Sequence, residues 1–554
     1  MVRLVSNMRV EGEGMPEEQL AFARKASGLV RGLSMWDAFG VGFMNQGLTP
    51  SIYVVITLGL SVFMGANLII ATIISLVLAG IGFPIVWGIL GGSMPRSGGE
   101  YIYNSRILHP IVGLAQSFGD AVIWLMWIYV LAPLAINPGL TDTFLFAGWR
   151  GGANWLGPES HQFLIATVLN IIGFLFVVFG IKIFARAQKV IMIFGIGGCT
   201  VLGFMLSLTS KATFISRWNA FVDANGSANL HYNHFAAVVG QAAGHAVPTT
   251  WNISDTFGVM VAMSWLFAYA YSISFIAGEV KRPDKTIIMA NLFAILVPAV
   301  FMIWFAWAMV HSMGFQFLSA SGYAAYNGIG AVGKLPYPTD LMSLGAIMVG
   351  TSAIGKILAV IGGLSFFAFV LWWLALSYLA FPRICFAWGM DRMGPKWFTD
   401  VSPRYASPVK NHILCLGLTE ILLVVYFFAL HNKMQNITVT GMQITSVFFV
   451  TALAALVFPY SKKAKGIWES SPYRNWKFLG IPVVTWGAAV DLIYLILLLY
   501  YFIVKKAAAS FTYGSTILFV GVWVLGILWY FFWKQRSKAV GVDVSMTYGE
   551  LPPE

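Results

Sequence analysis

Twelve apolar runs recur along the chain, at approximately 34–60, 67–91, 109–135, 161–183, 187–209, 258–278, 286–312, 343–381, 410–430, 440–459, 480–504 and 512–533. A helix needs about 20 mostly apolar residues to cross a bilayer. In lipid there is no water to bond the backbone, so runs of this kind are driven into helices. The expected fold class is an all-α integral membrane protein with about 12 transmembrane helices, called spans 1–12 below. The eighth run is too long for one span, and 343–355 is expected as a loop or a short surface helix. Only 10% of residues are charged, against about 25% in soluble domains. The aromatic share of 15% also supplies the Trp and Tyr of interfacial belts.

Basic residues orient the chain. With a cytoplasmic N-terminus, 26 of the 34 Lys and Arg fall on cytoplasmic segments, including Lys182/Arg186/Lys189 and Lys281/Arg282/Lys285. This bias predicts cytoplasmic N- and C-termini in a plasma-membrane protein. The net charge of +12 is thus an orientation signal rather than a nucleic-acid surface, with the lipid bilayer as the charged partner. Residues 1–33 are expected as a polar cytoplasmic segment with no cleavable signal peptide. Residues 534–554 form a cytoplasmic tail. Cys199, Cys385 and Cys415 sit in or beside apolar runs and imply no disulfide framework.

Long exterior connections at 210–257 and 313–342 divide the chain into five spans, five more and a terminal pair. The pattern fits an inverted repeat of about 34–209 and 258–459, together a transport core of 34–459, followed by spans 11–12 over 460–533. Spans 1 and 6, the first of each half, are the interrupted ones. Small residues in membrane helices often serve close packing. Breaks at matching positions of two halves point instead to a small-molecule site near the midplane. In span 1, FGVGFMNQGLTPSIY (39–53) places Met44, Asn45, Gln46, Gly47, Leu48 and Thr49 at the interruption, just before Pro50. Amides freed there attract a carboxylate. In span 6, SWLFAYAYSISFIAGEVKRP (264–283) offers Trp265, Phe267, Ala268, Tyr269 and Tyr271, with backbone carbonyls to accept from an ammonium.

Three segments resemble the amino acid–polyamine–organocation superfamily of amino acid permeases. Between spans 2 and 3, Pro95, Gly98, Gly99, Tyr101 and Tyr103 match a Pro–Gly–Gly–x–Tyr–x–Tyr loop. GEVKRP at 278–283 is similar to the family's ending of span 6. After span 8, Arg383, Ala387, Asp391, Gly394, Pro395, Phe398, Arg404 and Pro408 follow its signature. The resemblance implies a leucine-transporter-type fold that works by alternating access. It also implies an amino acid substrate, with its carboxylate on the span 1 break and its amino group on span 6 carbonyls. Another small solute, a polyamine or a nucleobase, is the alternative on the same fold.

The departures bear on substrate. Asn45-Gln46-Gly47-Leu48-Thr49-Pro50 stands where the family has a Gly–x–Gly element. In span 6 a tyrosine replaces a glycine, either Tyr269 led by Trp265 or Tyr271 led by Phe267. The coupling ion is H+ or Na+, and no cofactor or metal is expected. Proton-coupled relatives often carry a mid-span lysine in span 5, where this chain has Phe194-Gly195, and Lys189 reads as an interfacial residue. A candidate cation site combines Gly42 with Ser365. A candidate inner gate combines Glu279, Lys281, Arg282, Arg383 and Asp391. The plainer reading of those charges is topology plus helix termination at Pro283. Asp120, Glu420 and Asp491 read as snorkelling or bundle-facing groups, with proton relay as the alternative. Asp37 reads as a first-turn dipole partner, and His231/His234 as loop residues. A channel or a membrane enzyme is the remoter alternative. No nucleophile–base pair, H-E-x-x-H motif or phosphate loop is present.

Overall fold

The computed structural model describes residues 31–552 except 329–334, 337, 432–436, 506, 508–512, 542 and 545. Most of the polar segment 1–33 therefore lies outside the described residues. Among the described residues, eleven helices are long and apolar enough to cross a membrane: Leu68–Ser93, Pro110–Phe146, Glu159–Val178, Ile181–Ser207, Ile253–Glu279, Pro283–Met313, Ala353–Met390, Val409–Ala429, Gly441–Tyr460, Val483–Ile503 and Thr516–Ala539. They correspond to spans 2–12. The first run is cut into Met35–Gln46, Leu48–Val54, a π-helical turn over Val55–Gly59 and Leu60–Val62, so no single piece is long enough. The chain is an all-α integral membrane protein.

Local chemistry sets the helix starts. Ser34 and Asp37 form a capping box at the entry to span 1, the Asp37 amide donating to Ser34 Oγ at 3.3 Å and the Ser34 amide to Asp37 Oδ2 at 2.8 Å. Asp37 also pairs with Lys189 of span 5 at 2.8 Å, so both residues gain a partner that local reading did not supply. Asn67 and Ser352 cap spans 2 and 8 through their side chains.

The bundle presents apolar side chains outward. Ile73, Val77 and Ile81, four residues apart on one face of span 2, are exposed, while Ser75, Ala79, Phe83 and Val86 face inward. Span 6 is the core: its most apolar window is 100% buried, against 17% for span 12. Span 2 packs along span 7, span 5 along span 8, and span 12 along span 3.

Two expectations change. Residues 341–349 form a separate short helix, one of the two expected forms, but it is buried rather than on the surface, and span 8 runs for 38 residues, about 57 Å, well beyond the hydrocarbon core. The long connections hold helices of their own at Lys211–Ala224, Tyr232–Ala243 and Phe315–Asn327. Phe214, Trp218, Phe235 and Phe317 bury their rings together, which gives these helices a small core. His231 bonds Asp223 at 2.6 Å within this layer.

Candidate functional site

Span 1 breaks at Gly47, which closes the first helix and opens the second in the left-handed region at φ 54°. Trp373 of span 8 packs against it so closely that a Cβ would stand 2.2 Å from the indole. Glycine is needed twice over here, for the dihedral and for the room. Span 6 changes from α-helix (Met260–Phe267) to 3₁₀-helix (Tyr269–Glu279) at Ala268. The two irregularities touch. Asn45 Nδ2 donates to the Tyr269 carbonyl at 2.7 Å, and Trp373 Nε1 donates to the Asn45 carbonyl at 2.7 Å. Ser51 Oγ donates to the Gln46 carbonyl at 2.5 Å and lies 3.4 Å from that of Trp265.

Beside this junction is a small cavity of about 10 Å³ lined by Asn45, Trp124, Trp127, Leu131, Trp265, Tyr269 and Trp373. In this geometry it has room for about one water, so a solute larger than that enters only when the surrounding rings move. The rings meet mostly edge to face: Trp127 lies 5.3 Å from Trp265 and 5.6 Å from Tyr269, and Trp265 lies 5.8 Å from Trp373. The Tyr269 hydroxyl is buried with no hydrogen-bond partner, as are both side-chain atoms of Gln46.

Of the residues proposed from sequence, Asn45, Trp265 and Tyr269 line the cavity. Met44, Gln46, Gly47, Leu48, Thr49, Phe267, Ala268 and Tyr271 are buried around it without forming its walls. Tyr271 turns to Asp120, donating to Oδ1 at 3.1 Å. Sequence reading missed Trp124, Trp127 and Leu131. Their spacing of three and four residues marks one face of span 3, a signal that the apolar surroundings hide. It also missed Trp373, whose role depends on which face span 8 turns inward.

Gly42 and Ser365, the candidate cation site, have different near neighbours. Gly42 packs against Ile273 and Ala294. Ser365 donates to the Gly195 carbonyl at 2.7 Å and meets Thr49 Oγ1 at 2.8 Å. The charged set also separates. Glu279 and Arg383, both buried, pair at 2.9 Å, closing the end of span 6 onto span 8. Lys281 and Arg282 are exposed just beyond. Asp391 instead takes Arg106, from the helix Glu100–Ile107, in a bidentate pair at 2.5 and 2.7 Å. The C-terminal segment covers this pair. Tyr548 lies 5.1 Å beneath the Arg106 guanidinium and 3.2 Å from the Tyr101 hydroxyl, and Arg96 Nε donates to the Pro552 carbonyl at 2.5 Å. Gly32 and Leu33 bond the Glu279 carbonyl, at 2.9 and 3.0 Å, and Lys281 N returns to Leu33, which joins the start of span 1 to the end of span 6.

The remaining intramembrane acids have distinct surroundings. Glu420 accepts from Thr167 at 3.0 Å and Asn170 at 2.7 Å. Asp491 is fully buried with both oxygens unpartnered. Among the described residues no three His, Cys, Asp or Glu gather as a metal site would require.

A family model described as amino acid permease matches residues 33–528. No curated protein matches the chain.

Proposed function

The chain belongs to the amino acid permease family, and on that premise we propose that it is a secondary active transporter of amino acids or related amines. One observation carries the reading: a small aromatic-lined cavity sits where the Gly47 break of span 1 meets the α-to-3₁₀ change of span 6. Backbone amides at the break favour the substrate carboxylate. Carbonyls near Ala268 and the unpartnered Tyr269 hydroxyl suit the amino group. Four indoles around the cavity also suit a cation, through their ring faces, which keeps amines within the substrate class. This is transport rather than catalysis.

The cycle we infer is alternating access between two inverted repeats. The end that carries Glu279, Arg383 and the C-terminal segment is assigned to the cytoplasm from the distribution of Lys and Arg. In the geometry described, the Glu279–Arg383 pair holds span 6 against span 8, so access from that end requires the pair to part. The protein is assigned to the plasma membrane, with its substrate drawn from the aqueous phase on either side.

The test is uptake of each of the twenty amino acids, and of polyamines, by purified protein in liposomes. Saturable uptake that unlabelled solute competes away supports the reading. Linear, non-saturating flux indicates a channel and sinks it.

A further inference from the structure

Two buried carboxyls hydrogen-bonded to span 6 have no role in the reading above. Asp120 of span 3 is 1% exposed, and Glu100, in the loop helix between spans 2 and 3, is 0% exposed. Asp120 accepts from the Tyr271 hydroxyl at 3.1 Å and faces the indole N–H of Trp124. Glu100 Oε1 accepts from Trp87 Nε1 at 2.5 Å and from Ser274 Oγ at 3.3 Å. Its Oε2 is buried, and no side chain bonds it. The two carboxyls lie within electrostatic reach of each other. The titratable groups facing them are Tyr271 and, beyond it, Tyr269. No Lys or Arg among the described residues bonds either acid. The buried guanidiniums of Arg106 and Arg383 are committed to Asp391 and Glu279.

An ionised carboxylate in such surroundings is costly without a cation, and two within reach of each other do not both ionise. Burial pushes the Glu100 carboxyl up to about 7, within the range of cellular pH. Both acids are wired to span 6 by residues three apart. In a 3₁₀-helix, positions i and i+3 lie one above the other, so Tyr271 and Ser274 project to the same side, one reaching Asp120 and the other Glu100. Trp124 meanwhile both walls the cavity and faces Asp120. A movement of the 3₁₀ segment therefore alters both hydrogen bonds together.

On the transporter reading, we propose that Asp120 and Glu100 form a proton-binding site that couples transport to the proton gradient. The proton is taken up from the outer side onto the pair while the cavity is loaded. It is released inward when the 3₁₀ segment of span 6 moves and opens Glu100, the acid nearer the gate end of the chain, to water. Tyr271 and Ser274 are the positioning residues.

The full chain in liposomes with a trapped pH dye tests this, using a labelled mixture of the twenty amino acids as probe. Exchange is measured at equal pH, and accumulation with the outside one pH unit more acidic. We expect accumulation of about tenfold if one proton accompanies each solute, with acidification of the lumen. D120N and E100Q lose that accumulation and the dye signal while exchange at equal pH persists, and D120E recovers both. Exchange also verifies that each variant is folded. Wild-type exchange without pH-driven accumulation overturns the proton site alone, as does accumulation driven by sodium at equal pH, or D120N and E100Q accumulating like wild type. No exchange of any amino acid by the wild type overturns the transporter reading and the proton site with it.

Discussion

The side-chain amide of Asn45 donates to the backbone carbonyl of Tyr269 at 2.7 Å, tying the interruption of span 1 to the change of helix type in span 6. The bond is buried and joins residues 224 positions apart. Its loss leaves a buried carbonyl without a partner, at about 1–3 kcal/mol. Asn45→Ala is therefore expected to lower transport efficiency roughly tenfold or more. Initial uptake rates at several substrate concentrations check this. Wild-type kinetics in the variant would detach Asn45 from the site.

Gly47 combines a left-handed dihedral with contact against Trp373. Gly47→Ala should lower the melting temperature in detergent, because the dihedral costs about 1–2 kcal/mol in any residue with a Cβ and the indole has to move. Adding Trp373→Leu should relieve the clash but not the backbone strain, giving partial recovery. Full recovery would show that the dihedral carries no cost.

The Glu279–Arg383 pair is fully enclosed, with side chains 1% and 2% exposed. Removing one partner of a buried pair strands the other charge, at about 3–5 kcal/mol. Glu279→Gln and Arg383→Met are each expected to destabilise strongly, and the double variant by much less than their sum. Melting curves of the four proteins form the cycle, and additive losses would contradict the pairing.

Asp340 caps the helix 341–349, accepting from the Ser343 amide at 2.9 Å beside Asp142. Burial pushes its carboxyl up to about 6 from 3.8. The folded state therefore holds this proton more tightly than the unfolded chain does. The resulting stability is present below 3.8 and is lost as pH rises through about 6. The loss amounts to up to about 3 kcal/mol. Asp340→Asn keeps the capping oxygen and should flatten the melting temperature across that window. An unchanged slope would assign the dependence elsewhere.

Much of the architecture was legible in local chemistry. The apolar runs predicted the spans, the Ser34/Asp37 spacing suited a helix start, and glycine among polar residues at 45–49 marked the break that Gly47 makes. The eighth run was too long for one span, and its first part belongs to a separate helix at Leu341–Val349, although span 8 still runs for 38 residues. The long connections at 210–257 and 313–342 were harder to read, because their helices are short and gain their stability from one another's rings rather than from propensity. Tyr269 and Tyr271 were equivalent by sequence, two residues apart in the same segment. Only the fold turns Tyr269 to the cavity and Tyr271 to Asp120.

The sequence by itself determined the solvent of this protein, the number of its apolar segments and the positions where helices fail. Those follow from transfer of side chains into lipid and from backbone geometry, which act over a few neighbouring residues. Tertiary structure alone decided that Trp124, Trp127 and Trp373 wall the cavity and that Arg106, rather than Lys281 or Arg282, takes Asp391. In a membrane bundle hydrophobicity does not choose partners, since lipid is as apolar as a neighbouring helix. The choice falls to the rotation of each helix about its axis, which close packing and a few buried hydrogen bonds set across hundreds of residues.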